Sequence, residues 1–370
     1  MAGEESVLKS REPLVFRNAL DNWKVFHWTF DDWTHFFRGQ PLKFRVGSKK
    51  CSKEPQWERS SRTITMTLDE FKNLAVEDSD SWYYFDYKHL NEYCDHDTSF
   101  LDDINWSCVG LPERSGKDST LWIGSKGAHT PCHIDTYGCN FVAQIFGRKR
   151  WLLFPPDTVQ LKPSRIPYEE SSIYTHINFQ CSRNYDPKLI EKAFSVELDP
   201  GDVLFVPPQW WHYVENLSTA ISINTWVPMA TDNLARLKEC LVRFLVTTIK
   251  PTLTSEMCLE LLNPNEDDIE SSAECLEKLS HCITQLPVGH QNDSEDQGES
   301  LVKKRKLCHL NFKAVERISK EQIDNLMNSC SCDRADDQQK DLPLVFSLVN
   351  SFCDEKVLDS VSQNLLSHYT

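Results

Sequence analysis

Three residues of this chain have the types and spacing to hold a metal. Thr130-Pro-Cys-His-Ile-Asp135 presents an imidazole and a carboxylate two positions apart, and Trp210-Trp-His212 offers a second imidazole far along the chain. Alternate side chains of a β-strand share a face, so His133 and Asp135 would take two neighbouring corners of one ion. His212, arriving from another strand, would take the third. Two imidazoles and one carboxylate on one side of a cation suit iron(II) and leave the opposite positions open for a cosubstrate and dioxygen. The short pattern alone is weak, because His-x-acid pairs arise by chance in a chain with 12 His and 55 acidic residues. Its setting has to carry it.

The elements around the motif read as short strands with Gly/Pro punctuation. Thr120–Gly124 leads to it. Cys139–Phe146 is a second apolar strand, and Gly147-Arg-Lys149 reads as a turn into a third, Arg150–Phe154, stopped by Pro155-Pro156. Val196–Leu198, the turn Asp199-Pro-Gly-Asp202 and Val203–Val206 read as a hairpin-like unit before Pro207-Pro208, and Thr219–Trp226 is a further strand. With no helical periodicity between them, a β-sandwich or barrel is expected rather than a parallel sheet.

His133-Ile-Asp135, Asn140–Pro156 and Pro200–His212 together resemble the JmjC-domain 2-oxoglutarate oxygenases, in particular the small hydroxylase-like variety that includes the asparaginyl hydroxylase of hypoxia-inducible factor. Ser119–Ser125 and Arg165–Ser172 are similar to the branch of that family associated with small heat-shock proteins. The resemblance is strong over about residues 119–228. It implies a mainly β fold with α elements: a JmjC/cupin double-stranded β-helix (jelly-roll barrel) with flanking N-terminal α/β elements and C-terminal helices.

Carried over residue by residue, the resemblance makes His133, Asp135 and His212 the iron(II) ligands. It sets Lys149 and Thr130, with Tyr84 as a looser match, on the far carboxylate of the cosubstrate 2-oxoglutarate. Asn140 and Asn224 fall near its metal-bound end, and O2 is the oxidant. One extra residue between Asp135 and Asn140, relative to the asparaginyl hydroxylase, falls where the family shapes its substrate side. The implied activity is hydroxylation of a protein side chain, with a role in stress response through a small heat-shock protein. A non-enzymatic or weakly active adaptor for such a partner is the alternative; a histone or other lysine demethylase and a tRNA hydroxylase come third. His129, beside the motif, reads as a rim or surface histidine.

Length and composition set the outer frame. The chain has 370 residues, a formal charge of −15 and 14 cysteines. The acidic balance argues against direct nucleic-acid binding, although Arg148, Lys149 and Arg150 form one small basic cluster and Lys303-Lys-Arg-Lys306 another. No run is apolar enough for a membrane span and the first residues lack a signal pattern, so no membrane partner, a cytoplasmic and also nuclear location, and reduced thiols are expected. Cys275 to Cys282 and Cys330-Ser-Cys332 lack zinc-finger spacing and read as structural or incidental.

Five regions follow from the pattern. Residues 1–118 read as the N-terminal α/β part of the oxygenase fold, with a helix near Trp28–Phe37, a strand at Leu42–Val46 and a helix capped by Thr67 and Glu70. Residues 119–228 read as the barrel core. Residues 229–286 form a helical extension whose apolar stripe is Leu234, Leu237, Leu241, Phe244 and Leu245, packing in cis or between two subunits of a homodimer. Residues 287–306 read as a disordered linker, and 307–370 as a C-terminal helical segment.

Overall fold

Period-two alternation decides which way each strand faces. Along Cys139–Phe146, residues Cys139, Phe141, Ala143 and Ile145 join Trp23, Trp33, Phe71 and Trp106 in one buried cluster. Val142, on the opposite face, joins Trp151, Leu153, Val196, Leu204 and Val214 in a cluster drawn from two sheets. Each large side chain so buried contributes about 1.5–3 kcal/mol. A computed structural model of the chain describes residues 7–58, 61–76, 80–94, 97–165, 172–261, 270–286, 312–328 and 344–369. The linker expected at 287–306, the Lys303–Lys306 cluster, Cys330, Cys332 and positions 166–171 of the Arg165–Ser172 segment lie outside the described residues.

Two antiparallel sheets enclose that inner cluster. In spatial order the larger runs Phe312–Ala314, Leu14–Phe16, Val203–Val206, Cys139–Phe146, Ala220–Val227, Thr120–Gly124, Ser81–His89, Leu42–Ser48 and Arg62–Met66. The smaller runs Phe194–Leu198, Lys149–Phe154, Trp211–Asn216, His129–Asp135, Ser172–Tyr174 and Ser164–Arg165. The chain crosses repeatedly from one sheet to the other, which is the jelly-roll pattern. The N-terminal residues add strands to the larger sheet and cover its outer face with the helices Phe30–Phe37 and Leu68–Val76. The second of these is capped as its sequence implies, Thr67 and Glu70 bonding reciprocally at 2.7 and 3.2 Å.

Three expectations change. Val196–Leu198 and Val203–Val206 do not form a hairpin: the first belongs to Phe194–Leu198 of the smaller sheet and the second to the larger, so Asp199–Asp202 is a sheet-switching turn. Its Asp202 pairs with Arg17 across the fold. The C-terminal segment expected to be helical carries, among its described residues, a strand ahead of its helices. Phe312–Ala314 is a strand that covers the outer edge of Leu14–Phe16, where unpaired backbone groups would otherwise be exposed. The helical stripe is also shifted. In Asp232–Ile249 the buried positions include Leu237, Lys238, Leu241, Val242 and Val246, while Leu234 is exposed and Phe244 and Leu245 are half-buried. The reason is that the helix packs against Ser272–Gln285, Leu344–Phe352 and Glu355–Ser367 rather than against one flat surface, and Lys238 is drawn in by Glu355 and Asp359. No helix among the described residues is long and apolar enough to cross a membrane.

Gly147 makes one sheet switch feasible. It has φ +64°, and a Cβ there would lie 1.9 Å from the Thr219 carbonyl oxygen. The turn passes the chain from Phe146 in the larger sheet to Lys149 in the smaller, so it also sets where Lys149 points. Gly147→Ala should therefore destabilise the fold by about 1–3 kcal/mol or more, a strained backbone conformation and a collision acting together. A urea midpoint equal to that of the unaltered protein would refute this.

Candidate metal and cosubstrate site

His133 and Asp135 lie on His129–Asp135, and His212 lies on the neighbouring Trp211–Asn216, directly across from His133. Their ligand-capable atoms all lie within 4.8 Å of one another. The Nε2 atoms of His133 and His212 are 3.5 and 3.7 Å from Asp135 Oδ1. Both rings are oriented from behind. His133 Nδ1–H donates to the Pro131 carbonyl at 2.8 Å and His212 Nδ1–H to the Trp210 carbonyl at 3.0 Å. A carbonyl only accepts, so the proton sits on Nδ1 and each Nε2 turns a lone pair towards the shared centre. Asp135 Oδ2 is committed elsewhere, accepting from Asn140 Nδ2 at 3.1 Å and Trp226 Nε1 at 3.0 Å, which leaves Oδ1 for the centre.

The protonation states agree with that role. Burial pushes His212 down to about 4, so its imidazole is neutral at physiological pH. Burial works against the Asp135 carboxylate, yet a protonated His212 beside it in acid, where the carboxyl titrates, and the Trp226 N–H hold it well below the usual carboxylate range. Two inward lone pairs and an ionised oxygen at this spacing fit one divalent first-row cation, whose bonds to such donors are about 2.0–2.2 Å.

Thr130 shares the inward face although it is three residues from His133. Opposite Thr130 and His133 lie Val214 and His212, so three steps on one strand match two on the other. The bulge re-aims the strand. It also corrects the expectation for His129, which is not at the rim. His129 is buried on the other side of the strand against Trp82 and Tyr213, its Nδ1 bonded to the Gly127 carbonyl, and burial pushes it down to about 4.

Lys149 begins its strand instead of sitting in a solvated turn, and it points inward. Its Nζ donates to Ser222 Oγ at 2.7 Å and to Tyr84 OH at 3.4 Å, and the Tyr84 hydroxyl is also bonded with Thr130. Burial drives Lys149 down to about 7. Among the described residues no carboxylate lies within ion-pair distance of it. The expected basic cluster is dispersed: Arg148 pairs with Glu197 and Asp199, and Arg150 with Glu215, on the outside. Thr130, Tyr84, Lys149, Asn140 and Asn224 line one pocket with the three ligand candidates, together with Ser222, Trp122 and Trp226. These last three were not singled out from the sequence. Ser222, Asn224 and Trp226 are spaced by two on one strand, and that alternation was the available signal.

The fold and site define an antiparallel double-sheet barrel with, in one pocket, a buried lysine and a His-Asp-His cluster that could hold a cation. The chain belongs to the cupin-like (JmjC-type) family, whose domain model matches residues 2–233. It is 40% identical over 289 residues to HSPB1-associated protein 1 of Homo sapiens, covering 73% of this chain and 59% of that protein. It is 36% identical over 312 residues to the HSPB1-associated protein 1 homolog of Danio rerio, covering 80% of this chain and 69% of that one. A more distant relative is the lysine-specific demethylase 8 of Danio rerio, 26% identical over 232 residues, covering 59% of this chain and 54% of that protein. The chain thus spans just under three fifths of the length of the human relative.

Lys149 gives a stability signature with a definite sign. Between its folded value of about 7 and its ordinary 10.5 the unfolded chain holds a proton that the folded chain has lost, so stability rises with pH across that window. Below about 7 both states are protonated and the full cost of burying the charge is present. In the absence of any anion in the pocket, Lys149→Met should be more stable than the unaltered protein by its widest margin at about pH 6 and by much less at about pH 9, read from urea midpoints. A margin that does not change with pH would contradict this account of Lys149.

Proposed function

We propose that this chain is an iron(II)- and 2-oxoglutarate-dependent oxygenase that hydroxylates a protein side chain. One observation carries the proposal. A buried lysine with no carboxylate within ion-pair distance among the described residues shares a pocket with two Nε2 lone pairs and the Asp135 oxygen that accepts from neither Asn140 nor Trp226. A dianion that binds a metal at one end and a cation at the other satisfies both, and 2-oxoglutarate is such a molecule.

In this proposal His133, Asp135 and His212 hold the iron, which when bound supplies the dioxygen chemistry coupled to oxidation of 2-oxoglutarate to succinate and carbon dioxide. The chain's own residues do the rest. Lys149 makes a charge-assisted bond to the far carboxylate, strong because the site is dry, while Tyr84, Thr130 and Ser222 add hydroxyls around it. Docking an anion there restores the lysine's proton affinity and removes the cost of burying its charge. Asn140 and Asn224 offer amide N–H groups nearer the metal, and Val142, Trp151 and Val214 exclude water.

The substrate belongs to the same proposal. The relatives' name ties them to HSPB1, and a small heat-shock protein is the partner proposed here, either as the hydroxylated protein or as a docking partner in stress response. The second reading, an adaptor without turnover, is favoured by the helical unit, where Leu344 and Leu348 are exposed at 86% and 55% on one helix. Lysine demethylation, prompted by the demethylase relative, would use the same cofactors on an N-methyl carbon.

Calorimetry with Mn(II) in place of iron separates the two ends of the pocket. Lys149→Ala should weaken 2-oxoglutarate binding at least about tenfold, a charge-assisted contact being lost, and leave Mn(II) binding nearly unchanged. Equal affinity for 2-oxoglutarate in both proteins would sink the assignment of Lys149. Asp135→Ala should abolish iron-dependent gain of one oxygen by a small heat-shock protein yet leave its capture intact. Loss of both in a folded variant would mean that partner recognition runs through the metal site.

A further inference from the structure

The inward rows of three strands carry a chain of donors that ends on Asp135. Trp122 Nε1–H donates to Asn224 Oδ1 at 2.7 Å, Asn224 Nδ2–H to Asn140 Oδ1 at 2.9 Å, and Asn140 Nδ2–H to Asp135 Oδ2 at 3.1 Å. Trp226 Nε1–H reaches that same carboxylate oxygen at 3.0 Å by a separate route. Chemistry fixes the direction at both ends. An indole N–H only donates and an ionised carboxylate only accepts. Turning either amide over would set donor against donor or acceptor against acceptor, and both amides are buried, so neither is free to flip. Each amide keeps one further N–H, and the chain decides which edge carries it into the pocket.

Both indoles have a common support. The Tyr87 ring lies 5.8 Å from that of Trp122 and 5.5 Å from that of Trp226. Tyr87 has φ +56°, unusual for a non-glycine residue, and it falls where the register of Ser81–His89 slips against Thr120–Gly124. Irregularities of this kind re-aim side chains. Here the re-aimed ring backs the two groups that donate, directly or at a distance, to one carboxylate oxygen.

We infer that Trp122 is a remote positioning residue for the metal carboxylate, acting through Asn224 and Asn140, with Tyr87 bracing it and Trp226. The effect is to occupy Oδ2 and turn Oδ1 of Asp135 to the centre. The inference rests on the proposed metal role of His133, Asp135 and His212. Outer partners of this kind change metal affinity by about 10–100-fold when removed.

The test uses Co(II) binding, followed by its visible absorption, on the full chain without cosubstrate or turnover. Trp122→Phe keeps the ring and removes the donor. It should weaken Co(II) about tenfold while the melting temperature of the metal-free protein stays close to that of the unaltered chain. In an Asn224→Ala background, where the chain is already cut, the same change should add less than about twofold; combined with Trp226→Phe, which cuts the separate route, the losses should multiply. If Trp122→Phe fails to fold, Asn224→Asp applies the same test, placing an acceptor where the chain needs a donor. Unchanged Co(II) affinity in Trp122→Phe, or losses that multiply with Asn224→Ala, would overturn the inference alone. No Co(II) binding by the folded, unaltered protein would overturn the metal assignment and the inference with it.

Discussion

Asp135 has to be ionised, half-buried and aimed, and most of the site follows from meeting those three demands together. A carboxylate taken out of water needs its lone pairs satisfied or its charge is lost. Here one oxygen is satisfied by two N–H donors, and the other is left facing two imidazoles whose protons are pinned on the far side by backbone carbonyls. A geometry that could hold a metal is thus built into the hydrogen bonding of the chain itself. The strand pairing that places His133 opposite His212, and the bulge that brings Thr130 back to the same face, are what allow those bonds to close.

Lys149 is the complementary demand at the other end of the pocket. Burying its ammonium among hydroxyls costs on the order of several kcal/mol, a cost that an ordinary core position would avoid with an apolar residue. In the proposed function that cost is offset when the anionic cosubstrate docks on Lys149. The sheet-switching turn at Gly147 supplies the direction, and Ser222 and Tyr84 supply neutral partners that do not neutralise the charge. The helical unit is tied to this barrel near the strand that carries His133 and Asp135. Asp232 accepts from the Gly138 N–H just beyond Asp135, and Glu239 pairs with Arg165 on the strand that pairs with Ser172–Tyr174 beside His133.

Much of this was readable from residue order because period two is a local property. His133 with Asp135, the apolar faces of Thr120–Gly124 and Cys139–Phe146, and the Thr67–Glu70 cap all depend on neighbours within a few positions. The misses depend on partners far away. Asp199–Asp202 looks like a hairpin turn until the strands on either side join different sheets. Lys149 is no miss, since the family resemblance marks it as the cosubstrate's lysine, but residue order alone does not turn it inward; pairing with Asn216 and Leu198 does. His129 looked peripheral because the bulge that separates its face from that of Thr130 leaves no mark in the sequence. Trp122, Trp226 and Ser222 are masked for another reason: aromatic and small residues on strands usually serve packing, and the folded structure is what shows Trp226 donating to Asp135, Trp122 to Asn224, and Ser222 accepting from Lys149.

The central claim is that the triad and Lys149 act as one site for a metal-chelating dianion. Its most direct test is an anaerobic titration of the folded protein with iron(II) and then 2-oxoglutarate, watching for the visible charge-transfer absorption of a cosubstrate chelated to the metal. The account predicts a band that needs both additions, saturates at one equivalent of each and vanishes in His212→Ala. A folded protein that takes up iron(II) and shows no band at saturating 2-oxoglutarate would contradict it.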